Sequence, residues 1–237
     1  MLKIDLHTHT IASGHAINTV YELAKEASKK GVKVLGIADH GPKLPGSANE
    51  MYFEILYRAP RRIFGIKVLY GIELNIIDYE GRVDLSEKYF KNLDFLSAGI
   101  HVDSSLGGGS EGEYTRATIK VMENKDISIF THAYLLKRPT DIEKIAQAAC
   151  DNHKLLEIST THFECRKLNE ECFERLTEMI KVVKKNKSKI LLSSDAHFAH
   201  EIGIDKGLRK NMKKLGLTEK DIANNDIRYL RKFVKNI

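Results

Sequence analysis

Two histidines one residue apart, His7 and His9 in the segment IDLHTHT over residues 4–10, are the first groups in the chain that could do chemistry together. In an extended segment, residues i and i+2 project from one face. Two imidazoles side by side are costly without a common partner, and a metal ion is the usual partner of neutral imidazole. Further candidates recur along the chain: His15, His40 after Asp39, Glu73, His101, His132, and Asp195 with His197. A tetrahedral zinc site needs three or four ligands. Nine groups, with a carboxylate free to bridge, point to two or three metals close together.

Such a centre needs elements that bring distant residues to one place. Apolar or β-branched runs at 3–7, 32–38, 67–72, 95–100, 127–131, 154–158 and 189–192 read as seven strands, most too continuously apolar to be half exposed. Helical stretches separate most of them. Val20, Leu23, Ala24 and Ala27 make an apolar stripe opened by the capping box Thr19 to Glu22 and stopped by Gly31. A second box, Thr140 to Glu143, opens another helix. Phe173, Leu176, Ile180 and Val183 line a third, and Ile227, Leu230, Phe233 and Val234 mark a closing helix. The glycine-rich 107–112 stretch reads as a loop.

Alternating strands and helices imply an α/β fold with a parallel sheet, here a seven-stranded (β/α)7 TIM-like barrel, one strand short of the usual eight. With no low-complexity linker or break in composition, residues 1–237 read as a single domain. Seven of the ten histidines fall at or just after the C-terminal end of a predicted strand, where βα barrels build their active sites. The metal site is therefore expected at that end. His153 is expected on the surface and His200 at a helix start. His162, after the sixth strand, takes a structural role ahead of a pocket-lining one.

Composition narrows the setting. The start shows no signal-peptide pattern and no apolar run is long enough to span a membrane, so a cytoplasmic protein is expected. Three cysteines without a CxxC pair argue against a disulfide framework or a thiolate metal site. The net charge of +6 comes from lysines and arginines in helical segments near the C-terminus, which read as solvated faces.

Taken together, these residues resemble the PHP (polymerase and histidinol phosphatase) superfamily. Asp5-Leu6-His7-Thr8-His9 matches its DxHxH segment, Asp39-His40 its strand-end DH, and Asp195-Ala196-His197 its DxH. The YcdX-like phosphatase branch is closer still, through Ser13-Gly14-His15-Ala16, Gly71-Ile72-Glu73 with Asn75-Ile76, Gly81 and Asp84. The resemblance implies a distorted barrel holding three divalent ions, zinc first, with manganese or iron as alternatives. It also implies the ligand sets: His7, His9, Glu73 and Asp195; Glu73 as a bridge with His101 and His132; and His15, His40 and His197. The chain departs from the branch at Ala133-Tyr134, where relatives have Pro-Gly, and at Ser159, where they have asparagine. Both changes fall on loops around the pocket.

The expected function is a metal-dependent phosphoesterase, a phosphatase of phosphate monoesters. Glu73 and Asp195 would hold a metal-bridging hydroxide, and Arg61 and Arg138 are candidate phosphate clamps. The partner is then a small phosphorylated molecule, with no membrane. The alternatives are a PHP-type exonuclease on nucleic acid, a histidinol phosphatase, and a non-catalytic metal-binding domain. No stacking-aromatic groove favours nucleic acid.

Overall fold

The computed structural model describes residues 1–101, 106–135, 139–165 and 168–237. Its strands are β1 (Ile4–Thr8), β2 (Val34–Ile37), β3 (Arg62–Ile63), β4 (Ile66–Asn75), β5 (Phe95–Gly99), β6 (Ile129–Phe130), β7 (Leu155–Ser159) and β8 (Ile190–Ser193). Seven of them run parallel in the order β1-β2-β4-β5-β6-β7-β8, while the two-residue β3 pairs antiparallel with the start of β4. The result is the expected barrel, nearly closed. Its helices are α1 (Val20–Lys30), α2 (Glu50–Ile55), α3 (Glu111–Glu123), α4 (Ile142–Asp151), α5 (Glu170–Lys185), α6 (Lys206–Asn211) and α7 (Ile227–Leu230). No helix among the described residues is long and apolar enough to cross a membrane.

Local chemistry explains most boundaries. The Thr19–Glu22 capping box opens α1, and Gly31, at φ 75°, ends it. Two starts differ from expectation. Asp141, and not Thr140, caps α4 by accepting from Lys144 N, because the Thr140 hydroxyl accepts from Arg175 on α5 instead. Gly112 lies inside α3, which a Ser110–Glu113 capping box starts within the stretch read as a loop. The lysine-rich segments sit on exposed helix faces, where Lys184–Asp221 and Lys189–Asp226 ion pairs offset part of their charge.

Alternate strand residues face inward and outward. Outward residues such as Leu35, Val68, Leu96 and Leu156 pack against the helices. Inward residues at the N-terminal strand ends form a second cluster: Ile4, Leu6, Val34, Leu69, Phe95, Ile129, Leu155 and Leu191. Gly71 leaves room for the Phe95 ring, which a β-carbon there would overlap. Leu230, Val234 and Ile237 seal the floor of this layer. Hydrogen bonds from Lys235 N to Asp94 O and from Ser128 Oγ to Phe233 O pin that segment in place.

The seam between β1 and β8 is closed by two devices. Near the C-terminal strand ends, Asp195 N donates to His7 O and His9 N to Ala196 O. Lower down, the Asn224 side chain stands in for a strand neighbour. Its Oδ1 accepts from Leu192 N, and its Nδ2 donates to both Leu192 O and Ile4 O. Replacing Asn224 with alanine strands those backbone groups. We expect a loss of about 2 kcal/mol in unfolding free energy at unchanged m-value, read by urea denaturation; a change within error would mean that water bridges the seam as well as the amide does.

Candidate metal centre

Each strand delivers its group at the expected end. On β1 the pairing with β2 slips register between Asp5 and Thr8. Leu6 therefore packs into the apolar interior while His7, one residue on, faces the centre. Glu73 comes from β4, which runs three residues further at its C-terminal end than predicted. A bridge to His40 steadies it, with Glu73 N donating to Asp39 O and Gly41 N to Glu73 O. Asp84 ties the neighbouring loop down by accepting from Asn75 N and Lys43 N, and it sits so close to Gly41 that a β-carbon there would collide with its carboxylate.

All nine predicted residues converge. His7, His9, His40, Glu73 and Asp195 are buried, and His15, His101, His132 and His197 surround them. Potential ligand atoms approach one another within 4.8 Å in three overlapping groups: His7, His9 and Asp195; His40, Glu73 and His101; His9, His40 and His197.

Hydrogen bonding fixes which nitrogen each ring offers. His7 Nδ1 lies 2.9 and 3.0 Å from the two oxygens of Glu157. His9 Nδ1 donates to Ser13 Oγ at 3.0 Å, and that hydroxyl in turn donates to Asp39 Oδ1 at 2.7 Å. His15 Nδ1 donates to Ser13 O and His197 Nδ1 to Asp195 O, each at 3.0 Å. In neutral imidazole the other nitrogen is then a bare lone pair. Those lone pairs point at each other: His7 and His9 Nε2 are 2.9 Å apart, and His15 and His197 Nε2 2.8 Å apart. Neither contact is tolerable without a cation between the partners. Hydrogen bonds that aim ring nitrogens in this way are a hallmark of metal-ligating histidines. The donor set fits divalent ions.

Glu73 occupies the middle. Its Oε1 lies 3.0 Å from His132 Nε2 and 3.3 Å from His101 Nε2, and accepts from Thr131 Oγ1 at 2.6 Å. Its Oε2 lies 3.2 Å from His7 Nε2 and 3.0 Å from His40 Nδ1, and neither Oε2 nor that nitrogen makes a hydrogen bond. One carboxylate thus faces two sets of histidines. Burial opposes ionisation of Glu73 and Asp195, yet the surrounding histidines, His7 foremost, hold both well below the usual carboxylate range. Burial also opposes protonation of His7, but Glu157, Glu73 and Asp195 outweigh it and raise that imidazole well above its usual range. Burial lowers His9, with His40 adding to it, and brings His40 down to about 4 despite Glu73. A proton on His7 and a metal ion answer the same demand for positive charge.

Two of the residues with left-handed backbone lie here. His132 and Asp195 hold φ of 30° and 57°, values that non-glycine residues adopt rarely and mostly at functional sites. Other residues complete the surroundings. Sequence reasoning missed Glu157, Ser13 and Thr131 as participants; the signal for Glu157 was a lone acid inside the apolar run Leu155–Ser159. His162 is buried beside the centre, with Nε2 3.9 Å from Asp195 Oδ2 and Nδ1 2.7 Å from the Tyr134 hydroxyl, and does not line the cavity, in keeping with its structural reading.

The arginines fare differently. Arg61 forms an ion pair with Asp94, just before β5, and its backbone carbonyl accepts from Val68 near the start of β4. It therefore stands at the opposite end of the barrel and cannot clamp a phosphate at the centre. Arg138 lies outside the described residues. The structural reading of the surface histidine holds for His153, at a turn after α4, and His200 is the middle residue of a short 3-10 turn, Ala199–Glu201.

The PHP domain family model matches residues 5–188. Over nearly its whole length the chain is similar to proteins named "Probable phosphatase". It is 38% identical over 233 residues to one from Clostridium botulinum, covering 98% of this chain and 94% of that one. It is 39% identical over 240 residues to one from Caldicellulosiruptor saccharolyticus, covering 100% and 99%. Among solved structures, the fold resembles histidinol phosphate phosphatase from Lactococcus lactis, complexed with zinc, L-histidinol and phosphate. The TM-score is 0.59 at 16% identity, covering 91% of this chain and 94% of that chain.

Glu157 gives a direct test of the ring-aiming argument. Glu157→Gln keeps the shape but removes the charge behind His7. Metal affinity, measured by competition with a chromophoric chelator, should fall about 10- to 100-fold; an unchanged affinity would show that Glu157 does not prepare His7 for a metal.

Proposed function

The chain belongs to the PHP domain family, and on that premise we propose that it is a metal-dependent phosphatase of phosphate monoesters, working as one domain with three divalent ions, zinc first. The observation that carries this reading is the pair of facing Nε2 contacts, His7 with His9 and His15 with His197, gathered with the Glu73 and Asp195 carboxylates. The near-full-length relatives named as phosphatases support the reaction class. The zinc and phosphate of the Lactococcus structure belong to that protein and serve here as an analogy.

In this proposal His7, His9, Glu73 and Asp195 hold one ion, Glu73 bridges to a second with His101 and His132, and His15, His40 and His197 hold the third. His40 stands between sets, 3.0 Å from Glu73 and with its ring centroid 5.0 Å from that of His15. When bound, such ions supply Lewis acidity, lowering the pKa of water and neutralising phosphoryl oxygens. The chain supplies the rest. Glu73 and Asp195, the two carboxylates facing the histidines, hold the attacking water in place. Glu157, Ser13 and two backbone carbonyls keep the rings aimed, so little reorganisation is needed as charge develops. Two carboxylates leave the centre with surplus positive charge, which suits a dianionic monoester.

A strong chelator should abolish hydrolysis of a simple phosphate monoester, and added zinc or manganese should restore it; full turnover in protein shown metal-free by elemental analysis would overturn the proposal. The proposed third set has no carboxylate, so its ion should be the easiest to lose. His15→Ala should keep the fold and two ions, lose about one equivalent, and lower turnover roughly a hundredfold or more. Three retained ions with near-normal turnover would make His15 a loop residue outside the centre.

A further inference from the structure

The cavity over the centre is far larger than a phosphate requires. It encloses about 620 Å³, within the range of pockets that take whole organic ligands. A phosphate takes up a few water volumes of about 30 Å³ each. The remainder is lined by Leu44 and Pro45 after β2, Ile100 after β5, Phe130 on β6, Leu135 beyond it, and Ile145 on α4. Two hydroxyls on this side are already engaged: Thr118 donates to Tyr114 O, and Thr140 accepts from Arg175. Among the described residues, no lysine, arginine or glutamate lines the cavity, and Asp195 is its one carboxylate.

Resting on the phosphatase reading, we propose that this apolar cavity receives the organic half of the substrate, and that the substrate class is phosphate monoesters of aromatic or branched hydrocarbon alcohols. A second phosphate or a carboxylate would lie against hydrocarbon with no lysine or arginine among the described lining residues to answer it. An ammonium, as in an amino-alcohol phosphate, would find Asp195 alone, which already faces His7 and His9. A sugar would surrender its water hydrogen bonds to a wall with almost nothing to offer in return. An aromatic ring loses nothing there and gains contact with Phe130, Leu135 and Ile145. The phosphate end meets the histidines and carboxylates; the hydrocarbon end sets selectivity.

The test compares benzylphosphonate with methylphosphonate in calorimetric binding to the metal-loaded protein, and benzyl phosphate with glycerol 3-phosphate in turnover. Both esters release a primary alcohol, so the kinetic ratio reads recognition and not leaving-group strength. Benzylphosphonate should bind at least about tenfold tighter than methylphosphonate, the lower end of what one apolar pocket contact confers, and benzyl phosphate should lead in kcat/KM by a similar factor. Ala133→Phe, at a half-buried lining position next to His132, should collapse both ratios towards one. Leu135→Asn, which adds no bulk, should reduce them several-fold; metal content and circular dichroism are checked for each variant. Equal or better handling of glycerol 3-phosphate overturns the cavity assignment and leaves the phosphatase reading intact. Hydrolysis of neither ester overturns the phosphatase reading, and the phosphonate ratio then decides the cavity alone, a ratio near one overturning it.

Discussion

Two lone pairs pointed at each other at 2.8–2.9 Å organise this molecule. The His7–His9 and His15–His197 contacts arise because each ring has its Nδ1 committed elsewhere, to Glu157, Ser13 or a backbone carbonyl. Left alone, such an arrangement would repel or take up a proton, and the carboxylates around His7 favour that proton. The positive φ of His132 and Asp195, the register slip on β1 and the buried Glu73 all serve to hold these histidines and carboxylates together. Positive charge at the centre is what makes these local costs consistent with a stable fold.

The barrel divides its labour between ends. At the N-terminal strand ends, one inward apolar residue or more from every barrel strand packs into a layer sealed by Leu230, Val234 and Ile237. At the C-terminal ends the same strands carry histidines and carboxylates. The seam shows the same division, with an amide side chain closing it low down and backbone bonds beside His7 and His9 closing it at the top. Arg61, paired with Asp94 at the stable end, illustrates how a charged residue near the centre in sequence can serve the other half.

Much of this was legible in the chain itself. Seven strands, their parallel order and the end at which nine candidate ligand residues gather follow from hydrophobic periodicity and from where histidines fall relative to it. Short-range chemistry was legible where one signal stood alone, as in the Thr19–Glu22 box. It failed where tertiary partners competed. Thr140 could not cap α4 because Arg175 claims its hydroxyl, and Arg61 could not be placed because its partner Asp94 is 33 residues away. Glu157 became visible only once the fold set it beside His7, since periodicity reports which face a residue occupies and not which groups across the barrel it will meet.

The seam has a consequence for how the molecule is made. His7 and His9 lie on or beside β1, yet their partners Asp195 and His197 and the bridging Asn224 lie roughly two hundred residues further along the chain. Contacts of such long sequence separation form late and slowly, because the intervening loop must first be closed. Until β8 docks on β1, the candidate residues on β1 to β6 lack Asp195 and His197, and His7 and His9 lack the backbone bonds that close the seam beside them. On the proposed function, completing the metal set and closing the barrel would be one event.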